Sequence, residues 1–287
     1  MNNIPTYSMW WLIIQYDWYM QNGNLDYLNE QRRYITDLIN NAAEWIAAYK
    51  ITRDFDRFVD WSSHLTECAD AGVMAIFILG FRAAKNIFKL YNDEAMIRKC
   101  ECTIAGLMRR SYPYAKNKQI AALVSLAGIA DSEKIYDEIL SKDLLHGLST
   151  FLGYYTLLAM GEAGKHQEAL DIIRRYWGGM LKMGATSFWE DFDLAWTENA
   201  FRIDELPVEG KADIHGDFGK FCYTQFRHSL CHGWASGSTP FLSRCIMGVE
   251  ILESGCKKVK ITPRMCDLKW VKGAYPTPYG SIEIEHC

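Results

Sequence analysis

Apolar residues recur at three- and four-residue spacing along most of the chain, the signature of amphipathic helices. Residues 6–20 form the first such stretch, and Gln21-Asn22-Gly23-Asn24 ends it with turn-forming residues. A second stretch covers 25–49, followed by a loop over 50–63. Helices then come in pairs, 69–91 with 93–110, 118–128 with 132–141, and 148–163 with 166–183. Asn92, Asp131 and Gly164 stand at the turns within pairs, and the segment 111–117, with Pro113, separates one pair from the next. After 183 the pattern breaks into a long polar stretch, 184–219; loops of such length in a compact domain usually carry function. A last helical pair is expected over 220–234 and 239–251. The tail changes period. Lys257–Thr262 alternates apolar and polar residues, and 267–271 and 281–285 are further strand candidates.

The expected fold is therefore all-α, with a short C-terminal β segment. About ten helices in successive hairpins suggest a solenoid or a closed α/α toroid. The absence of a fixed-length repeat favours the toroid. A six-hairpin toroid has twelve helices, so about one hairpin would be missing at the N-terminal side. The expected division is 1–252 for the helical portion and 253–287 for a β portion. Two or three strands do not make a stable sheet alone. They either pack on the helices or begin a larger β-domain.

Composition narrows the class. Hydrophobic residues make up 49% and charged residues 23%, as in globular domains. The 31 basic and 35 acidic residues give a net charge of −4, which offers no footprint for nucleic acid or an anionic membrane. No uninterrupted apolar run reaches the ~20 residues a membrane span needs. The nine cysteines, Cys68, Cys100, Cys102, Cys222, Cys231, Cys245, Cys256, Cys266 and Cys287, include no CxxC pair. That pattern argues against a disulfide framework or a zinc site and for reduced thiols in the cytoplasm. Aromatic residues reach 14%, with 10 Trp. Such rings serve cores, and they also serve sugar clefts, where the apolar face of a pyranose lies on a flat ring.

The densest chemistry lies in Gly184-Ala185-Thr186-Ser187-Phe188-Trp189-Glu190-Asp191-Phe192-Asp193. Three carboxylates sit among aromatics there. Glycosidic hydrolysis needs one carboxylate to activate water and one carboxylic acid to protonate the leaving oxygen. The competing structural reading is a helix N-terminus, with Ser187 as cap and Glu190 closing a capping box. Residue types alone leave the two readings balanced. A second cluster comprises Asp213, His215 and Asp217, followed by Arg227-His228-Ser229-Leu230-Cys231-His232-Gly233-Trp234. On a helix, His228 and His232 would share a face, but HxxxH without a third ligand is a weak metal signal. Ser229, His232 and Asp217 could be written as a hydrolase triad, although no GxSxG elbow supports it. Asp60-Trp61 alone reads as a loop turn with a packed Trp.

These stretches resemble the bacterial alpha-L-rhamnosidases of glycoside hydrolase family 78. The resemblance rests on 4–21, 58–61, 151–158, 184–193, 213–219 and 227–237, in that order, with the tail 256–284 similar to the start of that family's C-terminal β-sandwich. It implies a six-hairpin α/α barrel that inverts configuration while releasing terminal L-rhamnose from a glycoside or oligosaccharide. By the same resemblance Glu190 is the general base, with Ser187 a mild departure from the family's Thr. Asp60 and His232 bind sugar hydroxyls, and Trp61, Trp189 and Trp234 wall the sugar. No metal or other cofactor is implied. The family's general acid lies upstream of the segment matching 4–21, so the chain is expected to be incomplete as a hydrolase and to self-associate through an open seam. The alternative reading is a non-catalytic glycan-binding α/α module.

Overall fold

The computed structural model describes residues 3–63, 66–213 and 229–287. It is 55% helical, with two small antiparallel sheets. The principal helices are α1 (Pro5–Asn22), α2 (Leu25–Ala48), α3 (Ala69–Leu90), α4 (Glu94–Met108), α5 (Lys118–Leu126), α6 (Ser132–Ile135), α7 (Leu152–Glu162) and α8 (His166–Lys182). Each expected helix from 6 to 183 is present within a few residues of its expected ends. The local reasons are visible. Pro5 opens α1, where its missing N–H costs nothing, and Gly23 closes it in the left-handed region at φ 71°. Asn24, Asp93, Asn117 and Asp131 each accept a backbone N–H in the first turn of α2, α4, α5 and α6. Just beyond α6, Tyr136–Leu140 widens into a π turn.

α3 organises the first core. It packs against α1, α4 and α5, and Met74, Phe77, Phe81 and Phe88 are buried along it. By length and composition α3 could cross a bilayer, contrary to the expectation that no stretch is apolar enough to do so. In the fold, 78% of its apolar window is buried, as expected of a core helix. Gly80 makes the crossing with α1 possible, because a Cβ there would lie 2.9 Å from the Met9 side chain. A second core gathers α7 and α8 with Trp189, Phe192 and Phe241.

Three expectations fail after residue 183. The helix expected over 220–234 lies outside the described residues up to 228, and from 229 to 232 the chain is non-helical. Its backbone there bonds across to the 188–190 segment, which competes with any helical ladder. The helix expected over 239–251 is only one turn, Ser238–Phe241, continued by a π turn to Ile246. Gly248, at φ 78°, then turns the chain into β1 (Val249–Glu253), so strand structure begins before the expected boundary at 253. The strand expected over 267–271 is a turn; strand structure starts at Val271.

β1 pairs with β2 (Lys258–Ile261), and β3 (Val271–Thr277) pairs with β4 (Gly280–His286). Both hairpins lean on the helices. Gln21 donates to the Pro276 carbonyl at 2.8 Å and accepts from the Tyr275 hydroxyl at 2.9 Å. Arg174 on α8 grips Asp267 through two nitrogens at 2.7 and 2.8 Å.

Candidate active site

Two irregular segments build the site by pairing. The Glu190 N–H donates to the Ser229 carbonyl at 2.8 Å, and the His232 N–H donates to the Phe188 carbonyl at 2.8 Å. The Ser187 hydroxyl donates to the Leu230 carbonyl. Ser187 is thus occupied across the pair and caps no helix, which removes the capping-box reading of this motif. The Glu190 carboxylate is buried and accepts the Ser229 N–H on Oε2 at 3.0 Å. Its other oxygen lies 3.8 Å from His232 Nε2. The Glu190 carbonyl accepts the Trp234 indole N–H at 2.8 Å and the Thr150 hydroxyl.

Glu190, His232, Trp234 and Trp61 line one cavity of about 840 Å³. The remaining wall is mostly aromatic and aliphatic, with Tyr7, Trp10 and Trp11 from α1, Phe151 just before α7 and Tyr155 on it; Ser8 and Asp17 of α1 add polar groups. Trp234 stacks on Phe151 at 5.3 Å with the planes 10° apart, and His232 lies against Trp234 at 4.5 Å. Trp10 and Tyr155 continue the aromatic run at 4.6 Å. A single buried carboxylate edged by an imidazole, at one end of an apolar trough, suits a neutral ligand with a ring face and a few hydroxyls.

Two expected site residues are elsewhere. Trp189 is 1% exposed and packs with Phe192 in the second core, its backbone N–H directed at Met180 Sδ at 3.4 Å. It does not wall this cavity, because its neighbour Glu190 faces the cavity and adjacent residues of an extended segment face opposite ways. Asp60 is also buried and is not among the lining residues. Its carboxylate accepts the Trp61 N–H at 2.8 Å and the hydroxyls of Ser149 and Ser62. Burial pushes its pKa up to about 6, with Asp191 adding to the rise and the hydrogen bonds from Ser149, Trp61 and Ser62 opposing it. His215, Asp217 and His228 lie outside the described residues. Among those described, no group of three His, Cys, Asp or Glu side chains could hold a metal ion.

The sequence reading gave no role to Ser149-Thr150-Phe151, yet these three consecutive residues tie the site together. Ser149 reaches Asp60, Thr150 the Glu190 carbonyl, and Phe151 the Trp234 ring. Ser149 also accepts the Leu152 N–H at 3.1 Å, so the start of α7 fixes all three. The available signal was a Ser-Thr pair directly before an apolar helical run.

No family model matches the chain, and no curated relative matches it. Solved structures do. The chain resembles a rhamnosidase of family GH78 from Bacillus sp. GL1, with a TM-score of 0.67, 20% identity, and coverage of 98% of this chain and 30% of that one. It resembles an alpha-L-rhamnosidase from Dictyoglumus thermophilum with a TM-score of 0.72 and 18% identity over 98% of this chain and 32% of the other. A Klebsiella oxytoca rhamnosidase with rhamnose bound aligns with a TM-score of 0.59 and 19% identity over 83% of this chain and 46% of that one. The fold is thus shared with rhamnosidases, and the chain spans about a third of the first two.

Proposed function

We propose that this chain supplies the water-activating half of an inverting glycoside hydrolase acting on terminal alpha-L-rhamnosides. The observation that carries the reading is Glu190. Its carboxylate is buried at the end of an aromatic trough, fixed by the Ser229 N–H and flanked by His232, in a fold shared with three rhamnosidases. A carboxylate so held takes a proton from water on one face of the sugar, while an acid on the other side protonates the leaving oxygen. His232 Nε2 and the rims of Trp61 and Trp234 face the sugar, and Asp60 acts from behind by holding the Trp61 backbone. The helical pairs belong to a six-hairpin toroid, and the protein works in the cytoplasm, in keeping with the free thiols among its described cysteines. Of the described residues lining the trough, Asp17 carries the other carboxylate; its side chain is exposed, and desolvation raises its pKa against the opposing charge of Arg244.

The test is hydrolysis of a nitrophenyl alpha-L-rhamnopyranoside by the wild type, Glu190→Gln and Asp17→Asn. Glu190→Gln should lower kcat by several orders of magnitude while leaving the fold unchanged. Near-normal turnover in that variant overturns the assignment. Full activity in Asp17→Asn places the acid elsewhere. Saturable rhamnose binding with no turnover by the wild type, either alone or extended upstream by the family's acid motif, favours the glycan-binding module instead.

A further inference from the structure

A second cavity, of about 790 Å³, lies between the helical body and the β hairpins and meets the first only at Asp17. Two guanidiniums, those of Arg244 and Arg264, line it. Among the described residues, Arg244 makes one hydrogen bond, to the Tyr154 hydroxyl at 3.3 Å, and Arg264 makes one from its side chain, to the Thr262 carbonyl at 3.5 Å. Neither has a carboxylate within 4 Å among the described residues. Their segments are tied together, because Arg264 N–H donates to the Ile246 carbonyl and Thr262 N–H to the Gly248 carbonyl, both at 2.9 Å. The floor is Gly161. A Cβ there would lie 3.7 Å from His166 Nε2 and 3.8 Å from Cys245 Sγ, so the missing side chain leaves a recess between an imidazole and a thiol. Both arginines act on that thiol, and Arg264 also acts on His166, so the positive charges converge on the recess.

Three acids, Asp17, Glu162 and Glu250, share the lining, none within 4 Å of either guanidinium. Glu250 is taken by Lys260 at 3.8 Å. Asp17 and Glu162 both have exposed side chains; desolvation raises the pKa of each, against the lowering effect of Arg244 on Asp17 and of Arg82 on Glu162, while guanidinium stays charged.

We propose that this cavity is an oxyanion site, separate from the Glu190 trough, that takes the carboxylate or phosphate group of a small sugar-sized ligand. A planar guanidinium presents paired N–H donors that match either group bidentately, and the cavity volume suits one ligand of that size. Arg244 and Arg264 grip the anion, and Gly161 lets the group seat against the α7 backbone.

The experiment titrates the chain by calorimetry with inorganic phosphate, D-glucuronate and D-glucose. Saturable binding of phosphate, of glucuronate or of both, with glucose silent, supports the site and tells which oxyanion it prefers. Arg244→Gln and Arg264→Gln should each weaken that binding about tenfold or more. Gly161→Ala, which retains all charges and adds only ordinary contacts, should weaken it too, and serves if an arginine variant fails to fold by circular dichroism. Absence of saturable binding by either anion, or unchanged binding in the folded Arg264→Gln and Gly161→Ala variants, overturns the proposal. The rhamnoside assay is independent of each of these results.

Discussion

The hydroxyl of Thr150, at the entrance to α7, donates to the backbone carbonyl of Glu190, forty residues away and on a different segment. Thr150 is 1% exposed, so water cannot replace the bond. Thr150→Val keeps the shape and removes the donor. It should lower stability by about 1 kcal/mol, because the carbonyl keeps its second partner, Trp234. Thr150→Ser should restore it. Urea unfolding of the three proteins checks this, and a Val variant as stable as the wild type would show that the contact holds nothing.

Trp189 and Trp61 should separate cleanly. Trp189 is fully buried in the second core, so Trp189→Ala should cost about 3–5 kcal/mol through the cavity it leaves. Trp61 is half-buried at the trough, against Phe58 at 5.1 Å. Its replacement by Ala should cost under about 2 kcal/mol and should instead weaken ligand binding. Thermal unfolding together with a rhamnose titration reads both. Equal destabilisation by the two variants would contradict the different burial.

That contrast marks what the sequence could show. Helical periodicity and capping residues located α1 to α8, because both are local properties of the chain. Resemblance of the Gly184–Asp193 motif singled out Glu190, and His232, Trp234 and Trp61 were named with it; all four meet at one cavity. Which way each neighbour faces was not legible. Trp189 and Glu190 point to opposite sides because their segment is held from far along the chain, the Glu190 N–H by the Ser229 carbonyl and the Ser187 hydroxyl by the Leu230 carbonyl. The same non-local pairing turned an expected helix into an extended segment. Thr150 and Ser149 act through side-chain bonds across 40 and 89 residues, for which single-sequence periodicity has no signal.

His232 should answer to sugar and not to metal. Its Nδ1 is buried with no hydrogen-bond partner among the described residues, and its Nε2 borders the trough beside Glu190. Removing the imidazole deletes a polar contact in a mostly apolar cavity, so His232→Ala should weaken rhamnose binding by about 1–3 kcal/mol. Chelator treatment should leave the wild-type affinity unchanged. Stoichiometric zinc in elemental analysis of purified protein would refute this.

Asp60 should make stability fall as pH rises through the weakly acidic range. Its folded pKa is about 6 against an ordinary 3.8, so folding disfavours the ionised form. Below pH 3.8 the group is protonated in both states and contributes no penalty. Above about 6 it is ionised in both, and the folded state carries the full penalty, on the order of 3 kcal/mol. The surroundings suit a protonated Asp60. Ser149 has one hydroxyl proton and two acceptors in reach, Asp60 and Gln119 Oε1 at 2.8 Å. When Asp60 is protonated it can donate to Ser149, which then donates to Gln119. Asn at position 60 can make the same arrangement through its amide and does not titrate. The stability of Asp60→Asn relative to the wild type should therefore improve as pH is raised from 4 to 7, most steeply between about 4 and 6. Denaturant midpoints across that range measure the difference, and carboxyl-carbon NMR places the titration itself. A difference that stays flat with pH, or a wild-type midpoint near the ordinary carboxylate value, would show that Asp60 is ionised in the fold without penalty.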